Sequence, residues 1–227
     1  NPTFERMFSH PRNALDMKAA LDQGKVILIN TAKDVLKAEA SQMFGRYMIA
    51  LIMQAALERA ADPERDRRPA FVYIDEAADY FDENIDTLLI QARKYKIGLC
   101  LLHQHLDQLS TKLYASVMAN PAARFVGGIS AGDARALAPE MRTTPERLLS
   151  AKKRAQTTEF ATYVRHVTET PVMLSIPLGF AEREPKMSNR QHAALLARTR
   201  NTIAAPLSDT EAHIATVAPA AAPVIVA

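Results

Sequence analysis

Apolar and polar positions fall into blocks along this chain, and their spacing predicts an alternation of helices and strands. Residues 13–21 predict a short helix with Asn13 as its N-cap. After the turn Gln23-Gly24, residues 25–30 (K-V-I-L-I-N) predict a buried strand. Residues 35–61 have few breakers and a middle that is apolar nearly all round, the pattern of a long helix buried between layers. A charged connection, D-P-E-R-D-R-R, leads into Phe71, Val72, Tyr73 and Ile74, residue types that suit a strand buried on both faces. Residues 85–96 place Ile85, Leu88, Leu89 and Ala92 at helical spacing, Gly98 breaks that helix, and residues 99–102 predict the next strand.

Further along, a helix over residues 111–118 precedes Asn120-Pro121 and a strand over 124–129. Ser130 caps a helix over 131–138. Thr144-Pro145-Glu146-Arg147 opens a short helix with proline in its first turn, which ends in the basic group Lys152, Lys153 and Arg154. Residues 158–168 and 171–177 alternate as a β-hairpin or an antiparallel edge. A helix follows Ser188 to about Thr202, and the Ala/Pro-rich residues 204–227 predict a disordered tail. The order of elements over residues 25–129 predicts an α/β fold, with a mostly parallel sheet flanked by helices.

Composition changes this picture little. Hydrophobic residues make up 48% of the 227 and charged residues 23%, ordinary values for a globular chain. The net charge of +3 is compatible with nucleic acid without requiring it. A single cysteine, Cys100, lies in an apolar run and reads as a buried thiol; no disulfide can form within the chain, which fits a reducing compartment. No secretory signal or membrane-spanning apolar stretch is present. The chain starts at Asn1 in mid-pattern and reads as a piece of a larger protein, whose other parts could include membrane segments.

Candidate chemistry concentrates where the strand over 71–74 ends in Asp75-Glu76. A buried strand tolerates two carboxylates only at its end, and open α/β sheets bind ligands at the carboxyl ends of parallel strands. One carboxylate there can hold a metal ion while the other polarises a water; the alternative is an acidic turn. Asp79, Asp82 and Glu83 read either as a second cation site or as a solvated loop. Gly24-Lys25 is not a phosphate loop, because no glycine lies five positions earlier and Val26 stands where Ser or Thr is needed. His103 and His105 flank one residue, a spacing that suggests a metal site, although metal binding is not the expectation for them. Arg93 lies about 100° round its helix from Ala92, off the apolar stripe. A local ion pair with Glu83 or Asp86 is one account of it.

Three segments in this order, F-V-Y-I-D-E-A, then A-R-K-Y-K-I-G-L-C-L-L-H-Q, then N-P-A-A-R-F-V-G-G, resemble HerA/FtsK-type P-loop ATPases. The likeness is strongest to the conjugative DNA-transfer, coupling-protein group of type IV secretion, and F-A-T-Y-V-R-H-V-T followed by P-V-M-L-S-I-P extends it. It implies a RecA-like core, of which residues 1–155 would be the C-terminal part, with a hairpin-and-helix extension over 156–203. It further implies ATP and Mg²⁺ as cofactors: Asp75 would bind Mg²⁺ through water, and Glu76 would activate the lytic water. Gln104 would sense the γ-phosphate, and Arg93 would enter a neighbouring subunit's site in a homo-hexamer. DNA and secretion or relaxosome components are the implied partners, at the cytoplasmic face of a bacterial inner membrane. The sequence contains no G-x-x-x-x-G-K-[ST], so the loop that cradles the phosphates would lie upstream of these residues. The competing readings are a non-catalytic assembly subunit of the same fold, and a related motor for protein export or genome packaging.

Overall fold

In the computed structural model, which describes residues 2–10, 13–80 and 83–217, the chain divides into two units. Residues 1–45 with 186–227 form one, and residues 46–185 the other.

The first unit is helical. Helices α1 (Pro2–Phe8), α2 (Met17–Asp22) and α3 (Lys33–Leu36) precede the early turns of α4 (Ala38–Glu58), and α9 (Asn189–Ile203) and α10 (Leu207–Val217) complete it. The N-cap of α2 is Asp16, whose carboxylate accepts from Ala19 N–H, and not Asn13, which accepts from Leu15 N–H two residues on. Asn13 thus closes a turn on itself, the competing local hydrogen bond that such side chains offer. Residues 25–30 form no strand. Val26 and Leu28 are 88% and 89% exposed, because an extended segment becomes a strand only through a ladder partner and none is present among the described residues. The long helix expected over 35–61 is interrupted at Lys37, whose φ of 70° ends α3 before α4 starts. Ser188 caps α9 through a reciprocal pair: its hydroxyl accepts from Gln191 N–H, and Gln191 Oε1 accepts from Ser188 N–H. Where disorder was expected from residue 204, α10 forms; Arg6 of α1 pairs with its Glu211 at 2.8 Å, and Thr210 is buried. Residues 218–227 of that expected tail lie outside the described residues.

The second unit is mixed α/β. The later turns of α4 bury Met48, Ile49, Ile52, Ala55 and Ala56 along one stripe and leave Leu57 exposed, so the helix is covered on one side and not all round. Strands β1 (Ala70–Ile74) and β2 (Ile97–Leu101) pair in parallel, in register from Ala70↔Ile97 to Ile74↔Leu101, with α5 (Glu83–Gln91) between them in sequence. The helical run after α5 tightens into a 3₁₀ turn, Ala92–Tyr95, and stops at Lys96 with φ 55°; Gly98 is part of β2. A Cβ on Gly98 would stand 2.6 Å from the Phe71 ring, which lies over it. The strand β1 is not buried on both faces: Phe71 and Tyr73 are 69% and 72% exposed, and Cys100, beside Tyr73, is exposed as well.

Helix α6 (Thr111–Ala119), capped by Ser110, leads to β3 (Ala123–Val126). The expected place of this strand in the parallel sheet is not the one observed. It pairs antiparallel with β4 (Thr157–Val164), which pairs antiparallel with β5 (Val172–Pro177), in a separate three-stranded sheet. Its sequence A-R-F-V explains the difference, since a central parallel strand needs a continuous apolar run, whereas an antiparallel sheet tolerates one open face. Val126, Ala161 and Tyr163 face a core that α7 (Ala131–Glu140) and α8 (Pro145–Ser150) complete with Ala134, Ala138, Met141 and Leu148. Phe125, Val172 and Leu174 stay exposed. Ser130 caps α7 as the sequence predicts, and Thr144 caps α8, whose start the sequence places there. The basic group does not end a helix: Arg154 N–H donates to Thr157 C=O, and Lys153 bridges Thr158 in a β-turn-back.

Candidate functional site

Two parallel strands that end side by side define the candidate site. The pairing of β1 with β2 continues one step past the ladder, because Leu102 N–H donates to Ile74 C=O at 2.9 Å and Ala77 N–H donates to Leu102 C=O at 2.8 Å. Asp75 and Glu76 therefore leave β1 directly beside the segment that runs from Leu102 to Gln104. Both carboxylates and Gln104 are exposed. Buried Ala77 and Tyr80 fix the 3₁₀ turn that follows, while Asp75 Oδ1 accepts from Glu76 N–H at 3.0 Å.

Glu76 has φ 47°, a left-handed conformation that costs a non-glycine residue about 1–2 kcal/mol. The surrounding backbone bonds hold it there, and such strain concentrates at sites where direction of a side chain matters. Of the acidic residues beyond it, Asp79 lies in the turn, while Asp82 and the side chain of Glu83 lie outside what is described. Among the described residues no group of three or more His, Cys, Asp or Glu could hold a metal ion. The exposed carboxylates of Asp75 and Glu76 are of the type that would hold a Mg²⁺ ion, which keeps most of its water and takes only one or two carboxylates from a protein.

Beyond Leu102 the chain turns through residues 103–105, so His103 and His105 lie after the strand and not in it. Two contacts secure this loop. His105 N–H donates to Gln108 Oε1 at 3.3 Å, and Leu106 N–H donates to Asp133 Oδ1 at 3.3 Å. Asp133 comes from the first turn of α7, is 7% exposed, and takes the Ser130 hydroxyl on Oδ2 at 3.0 Å. His105 Nδ1 stands 3.8 Å from the same oxygen.

Arg93 is not part of this cluster. It occupies the 3₁₀ turn before β2, at the amino end of the parallel sheet, while Asp75 and Glu76 leave the carboxyl end. Four strand steps separate the two ends, about 13 Å. Its side chain is exposed and makes no hydrogen bond or ion pair among the described residues; the side chains of Glu83 and Asp86 lie outside them. The turn that carries it is firmly held. Fully buried Arg59 donates from Nη1 to Arg68 C=O at 3.0 Å and to Tyr95 C=O at 3.2 Å. Arg67 Nη1 donates to Lys94 C=O at 2.6 Å and its fork also grips Asp62 C=O, with the guanidinium over the Tyr95 ring at 6.0 Å.

Other arginines are structural. Arg124, from β3, donates to the carbonyls of Val117, Met118 and Pro121 at the end of α6, and Arg165 donates to Ala119 C=O there. Burial pulls the Arg124 guanidinium below its ordinary pKa and nearby Arg165 adds to this, against the opposing pull of Glu140. In the basic group, Arg154 is bound to Glu159 at 2.7 Å, which holds that carboxyl below the usual range and raises the arginine; Lys152 and Lys153 are exposed. Sequence reasoning missed Asp133, Arg59 and Arg67. The spacing of Ser130 and Asp133 signals a helix start, but nothing in it signals the reach to Leu106.

No helix among the described residues is long and apolar enough to cross a membrane. The sequence matches no known family profile and no curated protein. Among solved structures, the chain is similar to VirB4 of Thermoanaerobacter pseudethanolicus, with 16% identity and a TM-score of 0.35 over 65% of this chain. The matched part spans 39% of the length of that structure.

Proposed function

We propose that these residues are part of an ATP-driven motor that translocates DNA in conjugative transfer or type IV secretion. The observation that supports this most is the joining of two strand exits, which sets Asp75-Glu76 against the segment leading to Gln104. Phosphoryl transfer asks a protein for positioning and charge stabilisation more than for covalent chemistry, and this trio suits it. Asp75 would hold Mg²⁺ through water, Glu76 would polarise the attacking water, and Gln104 would orient it. Bound Mg-ATP supplies the phosphoryl group and the charge neutralisation. Arg93, in the turn at the opposite end of the parallel strands, suits a neighbour's site better than its own. A homo-hexameric ring provides that neighbour, with DNA as cargo and relaxosome or secretion components as partners at the inner membrane. Exposed Lys152 and Lys153 are candidates for phosphate contacts.

The test uses the full-length polypeptide. Glu76→Gln should abolish ATP turnover while nucleotide binding persists, because it removes the charge and keeps the size. Arg93→Ala should also be inactive alone, and mixed rings of the two variants should recover hydrolysis where an intact Glu76 meets an intact Arg93. Wild-type turnover by Glu76→Gln would refute the site. Full activity of Arg93→Ala, or no recovery in demonstrably mixed rings, would remove the role in trans.

A further inference from the structure

Asp133 stands at the third position of α7, behind the N-cap Ser130, whose hydroxyl accepts from Asp133 N–H at 3.1 Å. A carboxylate at this position ordinarily folds back on the backbone N–H of its own N-cap. Here it does something else. Oδ2 takes the Ser130 hydroxyl, and Oδ1 reaches 27 residues back along the chain to Leu106 N–H, two residues after Gln104. The α7 terminus favours its negative charge, and its 7% exposure keeps water from competing for the bond. Leu106 is itself 5% exposed, so its amide has little access to solvent as an alternative partner. Nothing in the capping of α7 requires this contact.

We propose that Asp133 is a positioning residue for Gln104: it ties the loop after β2 to α7 and so sets where the Gln104 amide stands relative to Asp75 and Glu76. Through it, the antiparallel sheet and its helices brace the exposed end of the parallel pair. The proposal rests on the ATPase reading above for its effect on turnover, though not for the tie itself.

Two measurements on the full-length protein separate the two. In Asp133→Ala, hydrogen exchange at the Leu106 amide should speed up about tenfold to a hundredfold, the loss of one hydrogen bond to a charged acceptor. Turnover should fall about tenfold with the KM for ATP unchanged, because the amide is misplaced while the nucleotide contacts stay. Asp133→Asn retains an acceptor oxygen and should recover most of both. If Asp133→Ala does not fold, Asp133→Glu keeps the charge but overshoots by a methylene, and should show the same pair of effects. Unchanged exchange at Leu106 overturns the tie. Faster exchange with wild-type turnover overturns the positioning role. A wild-type protein no more active than Glu76→Gln refutes the ATPase reading and the positioning role with it, while exchange at Leu106 still decides the tie.

Discussion

Replacing Arg59 by alanine tests how the Arg93 turn is held. Arg59 is fully buried, and its Nη1 bonds two carbonyls, Arg68 at 3.0 Å and Tyr95 at 3.2 Å. A hydrogen bond that involves a charged group contributes about 1.5–3 kcal/mol, so the two bonds together lose at least about 3 kcal/mol in the alanine variant. Truncation also opens a cavity, which adds to the cost, whereas release of a buried charge from its desolvation offsets part of it. The expected net loss is about 3 kcal/mol. With a urea slope of about 2 kcal/mol per molar, the midpoint should fall by about 1.5 M. Tyrosine emission is the suitable probe for these 227 residues, which hold no tryptophan and whose six tyrosines all lie within residues 46–185. Arg59→Met, which refills the volume without a charge, should lose about half as much. Arg59→Lys keeps the charge without the planar fork and should fall between wild type and alanine. A fall of less than about 0.5 kcal/mol for Arg59→Ala would refute the claim that these bonds hold the turn.

Three further outcomes are expected. Glu76→Gly should leave thermal stability unchanged or slightly higher, since relief of the left-handed strain of about 1–2 kcal/mol outweighs the backbone entropy cost of glycine, and under the proposed function it should also abolish ATP hydrolysis; a fall of several degrees in Tm would refute the strain. Gly98→Val should displace the Phe71 ring, whose Cδ1 lies 2.6 Å from the new Cβ, and, because that side chain is 69% exposed and free to swing, should cost no more than about 1 kcal/mol in urea unfolding; a larger loss would refute the freedom of the ring. Glu159 has its folded pKa lowered, chiefly by the hydrogen bond from Arg154. Its contribution to stability is therefore present above the unfolded carboxyl pKa of about 4.3 and is lost as pH falls through the lower, folded value. Wild type should lose more urea resistance between pH 7 and pH 3 than Glu159→Gln, and equal losses would refute the pairing.

Several local signals in the sequence predicted local structure, although Asn13, Lys37 and residues 207–217 departed from it. Ser130, Thr144 and Ser188 each cap a helix where the pattern placed it, and the hairpin of β4 and β5 follows from alternation in residues 158–177. What failed was partnership. Residues 25–30 have the composition of a strand but no ladder, and β3 joined β4 instead of the parallel pair, because pairing depends on chain segments far apart in sequence. Burial failed for a related reason: Tyr73 and Cys100 are apolar enough for a double-sided core, yet only one face of β1 and β2 is covered among the described residues. Of the candidate site, the carboxylate pair stood out in the sequence because two charges follow an apolar run. Its closeness to the Gln104 segment followed from the parallel order, whereas the Asp133 tie spans 27 residues and leaves no periodic trace.

The open face of β2 gives the molecule a built-in chemical reporter. Cys100 is the only thiol, it is exposed beside Tyr73, and it lies four residues before Gln104. Within these 227 residues alkylation can therefore modify one known atom, and its rate measures directly how far a reagent can approach that face. Any partner strand, helix or subunit that comes to cover Phe71 and Tyr73 will slow the reaction without the need for an engineered label.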